Sequence, residues 1–233
     1  MPVLVIRSLR KSFHLGSGQS PRRIEALAGV DLDVDEGEIV GIVGGKGAGK
    51  TALLLCVAGL LRRDGGSIKR NGERLSFMPA VPTYYPFLTV REVFDYYCLR
   101  ERDASARRAR LIPDVARRLG LTRYLTATVS SLDIEILKRV AIAQTFLDEA
   151  RVILFDGSLD SLGNGASLVH RLLRESNATI IATSRQAGVM APVATRIVVM
   201  DAGRLTGSFS AIQTDSAFES VPPLIRQIAE RLH

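Results

Sequence analysis

The chain has 233 residues, 46% of them hydrophobic, with 20 glycines, 9 prolines and a formal charge of +7. This composition supplies the core of one large domain or two small lobes and excludes a disordered chain. Its longest apolar run, TALLLCVAGLL, meets arginines well before the roughly 18–20 residues that span a bilayer, and MPVLVIRSLRK is too short and too soon charged for a secretory leader, so a cytoplasmic chain is expected.

In chain order, VLVIRSL and ALAGVDLDVDEGEIVGIVG alternate apolar and polar residues on either side of the break LGSGQSPRR, which predicts strands joined by a hairpin loop. EIVGIVG enters a glycine-rich turn, and TALLLCVAGLL behind it has the spacing of a buried helix. GGSIKRNGERLSFMP reads as further strand and turn, and residues 90–148 read as mostly helical. VILFD, TIIATS and RIVVMD are short, continuous apolar runs between helical stretches, the pattern of parallel strands covered on both faces. In the tail, ESVPPLIRQIAERL has the prolines and apolar spacing of a short amphipathic helix after a break. Cys56 and Cys98 lie in apolar surroundings and read as buried thiols. The arginine-rich stretch RERDASARRAR (100–110), continuing to Arg117 and Arg118, interleaves acids with its bases and lacks aromatic residues for stacking, which favours a solvated helical face over a nucleic-acid or anionic-lipid surface.

The chemistry starts at GGKGAGKT, which satisfies G-x-x-x-x-G-K-[ST] between a predicted strand and a predicted helix. A chain of this length and average composition meets that pattern by chance about once in a hundred cases, so the flanking elements carry the reading. Glycines let the backbone curl until successive N–H groups face one anion, and the helix N-terminus adds partial positive charge. The candidate nucleotide-binding residues are therefore Gly44, Gly45, Lys46, Gly47, Ala48, Gly49, Lys50, Thr51 and Ala52. Lys50 is expected to neutralise the β and γ phosphates and the Thr51 hydroxyl to ligate magnesium.

Around this loop the chain resembles the nucleotide-binding subunit of ATP-binding cassette (ABC) transporters, from near residue 3 to near residue 210. LRKSF places Phe13 where that family stacks an aromatic on adenine, with a core phenylalanine as the alternative reading. YPFLTVREVFDYY (85–97) is similar to the segment that opens the family's helical lobe, KRVAIAQTFL (138–147) to the helix after its signature, VILFD to its Walker B strand, and DAGRL (201–205) to its closing hairpin. The resemblance implies an α/β fold: a P-loop NTPase core of mostly parallel sheet with an N-terminal antiparallel β-subdomain and a helical subdomain. The core is expected over 1–81 and 150–210, the helical lobe over 82–149 and a C-terminal tail over 211–233. It also implies Mg-ATP as ligand, with Thr51 and Asp156 on the metal, and a homodimer or heterodimer with another ABC ATPase subunit. Such a dimer sits on the cytoplasmic face of a membrane, seated on an integral-membrane permease through a groove that residues 82–98 line, unless their aromatics are lobe core.

The departures fall on other parts. Ala80 stands where the family has a glutamine that contacts magnesium and water. The signature Leu-Ser-Gly-Gly-Gln matches LDIEI, Leu132 to Ile136, and only the leucine survives. A carboxylate of Asp133 or Glu135 about 5 Å from a phosphate charge, at an effective dielectric near 20, would oppose closure by roughly 3 kcal/mol, unless these acids point into solvent. Gly157 replaces the catalytic glutamate, whose loss costs about a hundred- to ten-thousand-fold in rate. Ser184 replaces the switch histidine, keeping a hydroxyl for the γ-phosphate, and DSLGN (160–164) replaces the loop after Walker B, with Asp160 expected to be a solvated loop carboxylate rather than a substitute base. The expectation is an ATP-binding subunit that hydrolyses slowly or not at all. The alternatives are an active transport ATPase with unconventional residues, or a soluble regulatory scaffold without a permease.

Overall fold

In a computed structural model, residues 2–15, 22–72, 74–98 and 104–210 are described. Residues 16–21 of the expected hairpin loop, the start of the arginine-rich stretch and the tail 211–233 with its expected amphipathic helix lie outside them.

Alternating side chains in the first 35 residues build a long antiparallel pair, β1 (Pro2–Leu15) and β2 (Arg22–Asp35). One face turns Leu4, Ile6, Leu9, Leu27, Val30, Leu32 and Val34 inward, all at least 95% buried. β4 (Gly65–Arg70) joins β1 on its other side, giving a three-stranded sheet of order β2-β1-β4.

The continuous apolar runs form the second sheet, because a strand covered on both faces has no polar side to present. β3 (Ile39–Val43) and β7 (Thr179–Ser184) are buried along their whole length, and β6 (Val152–Asp156) is buried up to Asp156. With β5 (Leu75–Met78), β8 (Arg196–Asp201) and β9 (Arg204–Ser210) they form six strands in the order β5-β6-β7-β3-β8-β9. Every pairing is parallel except β8 with β9.

Helix α1 (Lys50–Ala58) is apolar on nearly every side and packs with inward residues of both sheets, which explains why TALLLCVAGLL lacks a polar stripe. On the other face of the parallel sheet lie α2 (Val90–Cys98), α3 (Ala104–Arg118), α4 (Ile134–Leu147) and α5 (Ala166–Glu175), whose buried residues join a separate cluster around Phe94, Ile112, Leu119 and Phe155. The short α6 (Ala187–Met190) follows β7. Both cysteines are buried, as expected. Among the described residues no helix is long and apolar enough to cross a membrane.

Candidate nucleotide site

Strands β6, β7 and β3 are parallel neighbours, so the segments that leave their C-terminal ends meet at one edge of the sheet, where open α/β folds bind ligands. The glycine-rich loop leaves β3 there. Gly44 N–H donates to the Ser184 carbonyl at 3.3 Å, and Gly203 N–H donates to the Ala48 carbonyl at 2.9 Å, so β7 and the β8–β9 turn hold the loop from two sides. Gly49 caps α1 at φ +106, and a Cβ there would lie 2.3 Å from the Ala26 carbonyl oxygen; no other residue type fits.

Lys50 Nζ reaches back across the loop, donating to the carbonyls of Gly44 at 2.6 Å and Gly45 at 2.8 Å. Partial burial lowers its pKa, while the charges of Asp156 and Asp160 act to raise it. Thr51 Oγ1 donates to Asp156 Oδ1 at 3.1 Å and Thr183 Oγ1 donates to the same oxygen at 2.9 Å. Among the described residues Asp156 Oδ2 receives no hydrogen bond. A threonine hydroxyl beside a carboxylate with a free oxygen is the hard-oxygen chemistry of a magnesium ion bound partly through phosphates. No group of three or more His, Cys, Asp or Glu side chains gathers among the described residues.

The substituted positions converge beside this pair. Gly157 follows Asp156 at φ +62, in the left-handed region, and its N–H donates to Thr183 O at 3.1 Å and Thr183 Oγ1 at 2.9 Å. A Cβ built on Gly157 would lie 3.6 Å from the Ala80 Cβ, in ordinary contact, so the two small residues adjoin. The buried Ser158 hydroxyl lies 3.1 Å from the carbonyls of both Met78 and Pro79 and ties this turn to the segment that carries Ala80.

Four expectations need correcting. Asp160 is not a solvated loop carboxylate: Asp160 N–H closes a turn onto the Gly157 carbonyl at 3.3 Å, and its Oδ1 accepts from Ser184 Oγ at 2.6 Å. Ser184, 1% exposed, therefore spends its hydroxyl on Asp160 and on the Gln186 backbone, whose N–H donates to it at 2.9 Å, instead of offering it to a phosphate. Glu135 is only partly exposed, and its carboxylate folds onto Gly163 of the same chain, so close that a Cβ there would lie 1.8 Å from Oε1. Asp133 is exposed at the N-cap of α4 without a side-chain capping bond, and Ile134 beside it is 49% exposed. Phe13 is 39% exposed and carries the Lys11 ammonium 5.4 Å from its ring centre, which removes the core reading.

Sequence reasoning missed Thr183, which bonds both Asp156 and Gly157, and Lys138, which is 7% exposed and donates to the Asp160 carbonyl. The polar pair closing the apolar run TIIATS was the signal for Thr183. Nothing in the sequence pointed Lys138 toward residue 160.

A glycine-rich loop between a parallel strand and a buried helix, with a carboxylate at the end of the neighbouring strands, defines a P-loop nucleotide-binding protein. Residues 27–159 match the family described as ABC transporter, and the chain belongs to it. Among curated relatives, the alpha-glucoside transport ATP-binding protein AglK of Rhizobium meliloti is 29% identical over 88% of this chain and 59% of its own length. The sn-glycerol-3-phosphate import ATP-binding protein UgpC 1 of Rhizobium johnstonii is 30% identical over 88% of this chain and 58% of its own length. The chain thus spans about three fifths of these relatives. Of solved structures, a dimeric post-hydrolysis state of the ATP-binding cassette MJ0796 bound to ADP and Pi superposes with a TM-score of 0.76 at 20% identity, covering 90% of this chain and 99% of that one. The ATP binding subunit of an ABC transporter superposes with a TM-score of 0.78 at 19% identity, covering 99% of each chain. The ABC ATPase fold is thereby established.

Proposed function

We propose that this chain is the ATP-binding subunit of a membrane ABC transporter complex, holding Mg-ATP through its P-loop and hydrolysing it slowly or not at all. In this reading Gly44, Gly45, Lys46, Gly47, Ala48 and Gly49 wrap the phosphates, and Lys50 moves from the loop carbonyls to them. Thr51 and Asp156 share the magnesium, Ala52 lies in the first turn of the helix behind, and adenine stacks on Phe13. The observation that carries it is the pairing of an intact Thr51–Asp156 contact with Gly157 in a left-handed turn: the residues that would hold the metal are in contact, and the position after Asp156 has no side chain to activate water. The resemblance of the catalytic positions supports the same conclusion, since Ala80, Gly157 and Ser184 all lack the reach of the groups they replace.

The partner reading rests on a surface. Val81, Tyr85, Phe87 and Tyr96 are 66–71% exposed, and Tyr85 and Phe87 stack with ring centres 5.7 Å apart. Large apolar side chains grouped at the start of the lobe 82–149 favour docking on a permease at the cytoplasmic face of a membrane, with a second ATPase subunit, identical or different, completing the dimer. Nucleic acid is not favoured, because Arg117 pairs with Asp114 and Arg118 with Glu175 within the chain.

The test is magnesium-dependent ATP affinity by calorimetry followed by phosphate release on the same sample, with Lys50→Ala as control. Tight binding with release near background supports the proposal. Fast release, lost in Lys50→Ala, would show an active ATPase, and absence of binding would leave a scaffold.

A further inference from the structure

The carboxylate missing from position 157 has a counterpart three residues later. Gly157 at φ +62 reverses the chain, Asp160 N–H bonds the Gly157 carbonyl, and the turn carries the Asp160 side chain back to the end of β7. Its position relative to the nucleotide loop follows from bonds already in place. Ser184, which holds Asp160 Oδ1 at 2.6 Å, pairs in register with Val43, and its carbonyl accepts from Gly44 N–H. The carboxylate is thus two contacts from the first glycine of the phosphate loop, and its charge is felt by Lys50. Oδ1 is committed to Ser184; among the described residues nothing donates to Oδ2. The buried Lys138 ammonium, donating to the Asp160 carbonyl, fixes the backbone from the other side.

We infer that Asp160 is the catalytic carboxylate of this site, its Oδ2 orienting the attacking water, and that Ser184 is the residue that positions it. This rests on the nucleotide-binding reading above and accounts for slow turnover in place of none. The water oxygen forms a bond to the γ-phosphorus as the bond from that phosphorus to the β–γ bridging oxygen breaks. The bridging oxygen keeps the electron pair and departs on ADP. The proton of the water passes to Asp160 Oδ2, then to solvent, which restores the carboxylate. An aspartate is one methylene shorter than a glutamate, and one of its oxygens is already held by Ser184, so it reaches the attacking water less freely than a glutamate would.

The experiment measures phosphate release by the purified full chain, with ATP affinity by calorimetry alongside. Asp160→Asn is expected to lower release about tenfold or more with ATP affinity within about twofold, as removal of a positioned base does. Ser184→Ala is expected to lower kcat severalfold with KM unchanged, a split that a structural role alone does not produce. Asp160→Ala repeats the measurement should the asparagine variant fail to fold, which its melting temperature shows. Parental release by a folded Asp160 variant overturns the inference, as does parental release no faster than that of Lys50→Ala. Absence of ATP binding by the parental chain overturns the nucleotide-binding reading first and this one with it.

Discussion

Gly157 and Lys50 illustrate how much a single position decides. Lys50 already holds two carbonyl oxygens at 2.6 and 2.8 Å, so its ammonium is poised over the loop before any ligand arrives. Lys50→Ala is expected to weaken ATP about ten- to a hundredfold in a calorimetric titration, since a charge-assisted hydrogen bond contributes about 1.5–3 kcal/mol. Restoring the family's residue by Gly157→Glu is expected to fail as a rescue. The backbone at φ +62 is one that a side chain adopts at a cost of about 1–2 kcal/mol, so the variant should melt earlier and release phosphate no faster than its parent. The P-loop was legible residue by residue because its pattern is local. The Asp160–Ser184 bond was not, because it joins residues 24 apart, brought together only when β6 and β7 lie side by side.

Elements show the same division between local and distant signals. Continuous apolar runs marked β6, β7 and β8, and their parallel order followed from the helices between them. The start of α2 was equally local but went unread: T-x-x-E at Thr89 to Glu92 is a capping box, in which Glu92 Oε2 accepts from Thr89 N–H at 2.7 Å and Thr89 Oγ1 accepts from Glu92 N–H at 3.2 Å. Thr89→Ala should cost about 0.5–2 kcal/mol in urea denaturation, with the helical lobe's signal lost first. The fate of Glu135 was not readable at all. Its placement on Gly163 depends on the turn after Walker B, and that turn depends on Gly157.

For the whole molecule, charge sets the acid limit. Asp33 beside Arg7, Asp64 beside Lys11 and Glu92 beside Thr89 each titrate below their ordinary values of 3.8 for aspartate and 4.5 for glutamate. A lowered folded-state pKa contributes stability that is present above the unfolded value and lost as pH falls through the folded one. The melting temperature should therefore be level above about pH 5 and fall as pH drops through 4 and below, and the fall should shrink in high salt because these pairs are exposed. The central sheet, meanwhile, divides the interior into two clusters that share no residue: α1 and the small sheet on one side, α2 to α5 on the other. Two such bodies need not open together. Amide exchange should reveal them as separate protection classes, with Mg-ATP slowing exchange in α1 far more than in α3. This chain would then register nucleotide as a change in which half of it breathes.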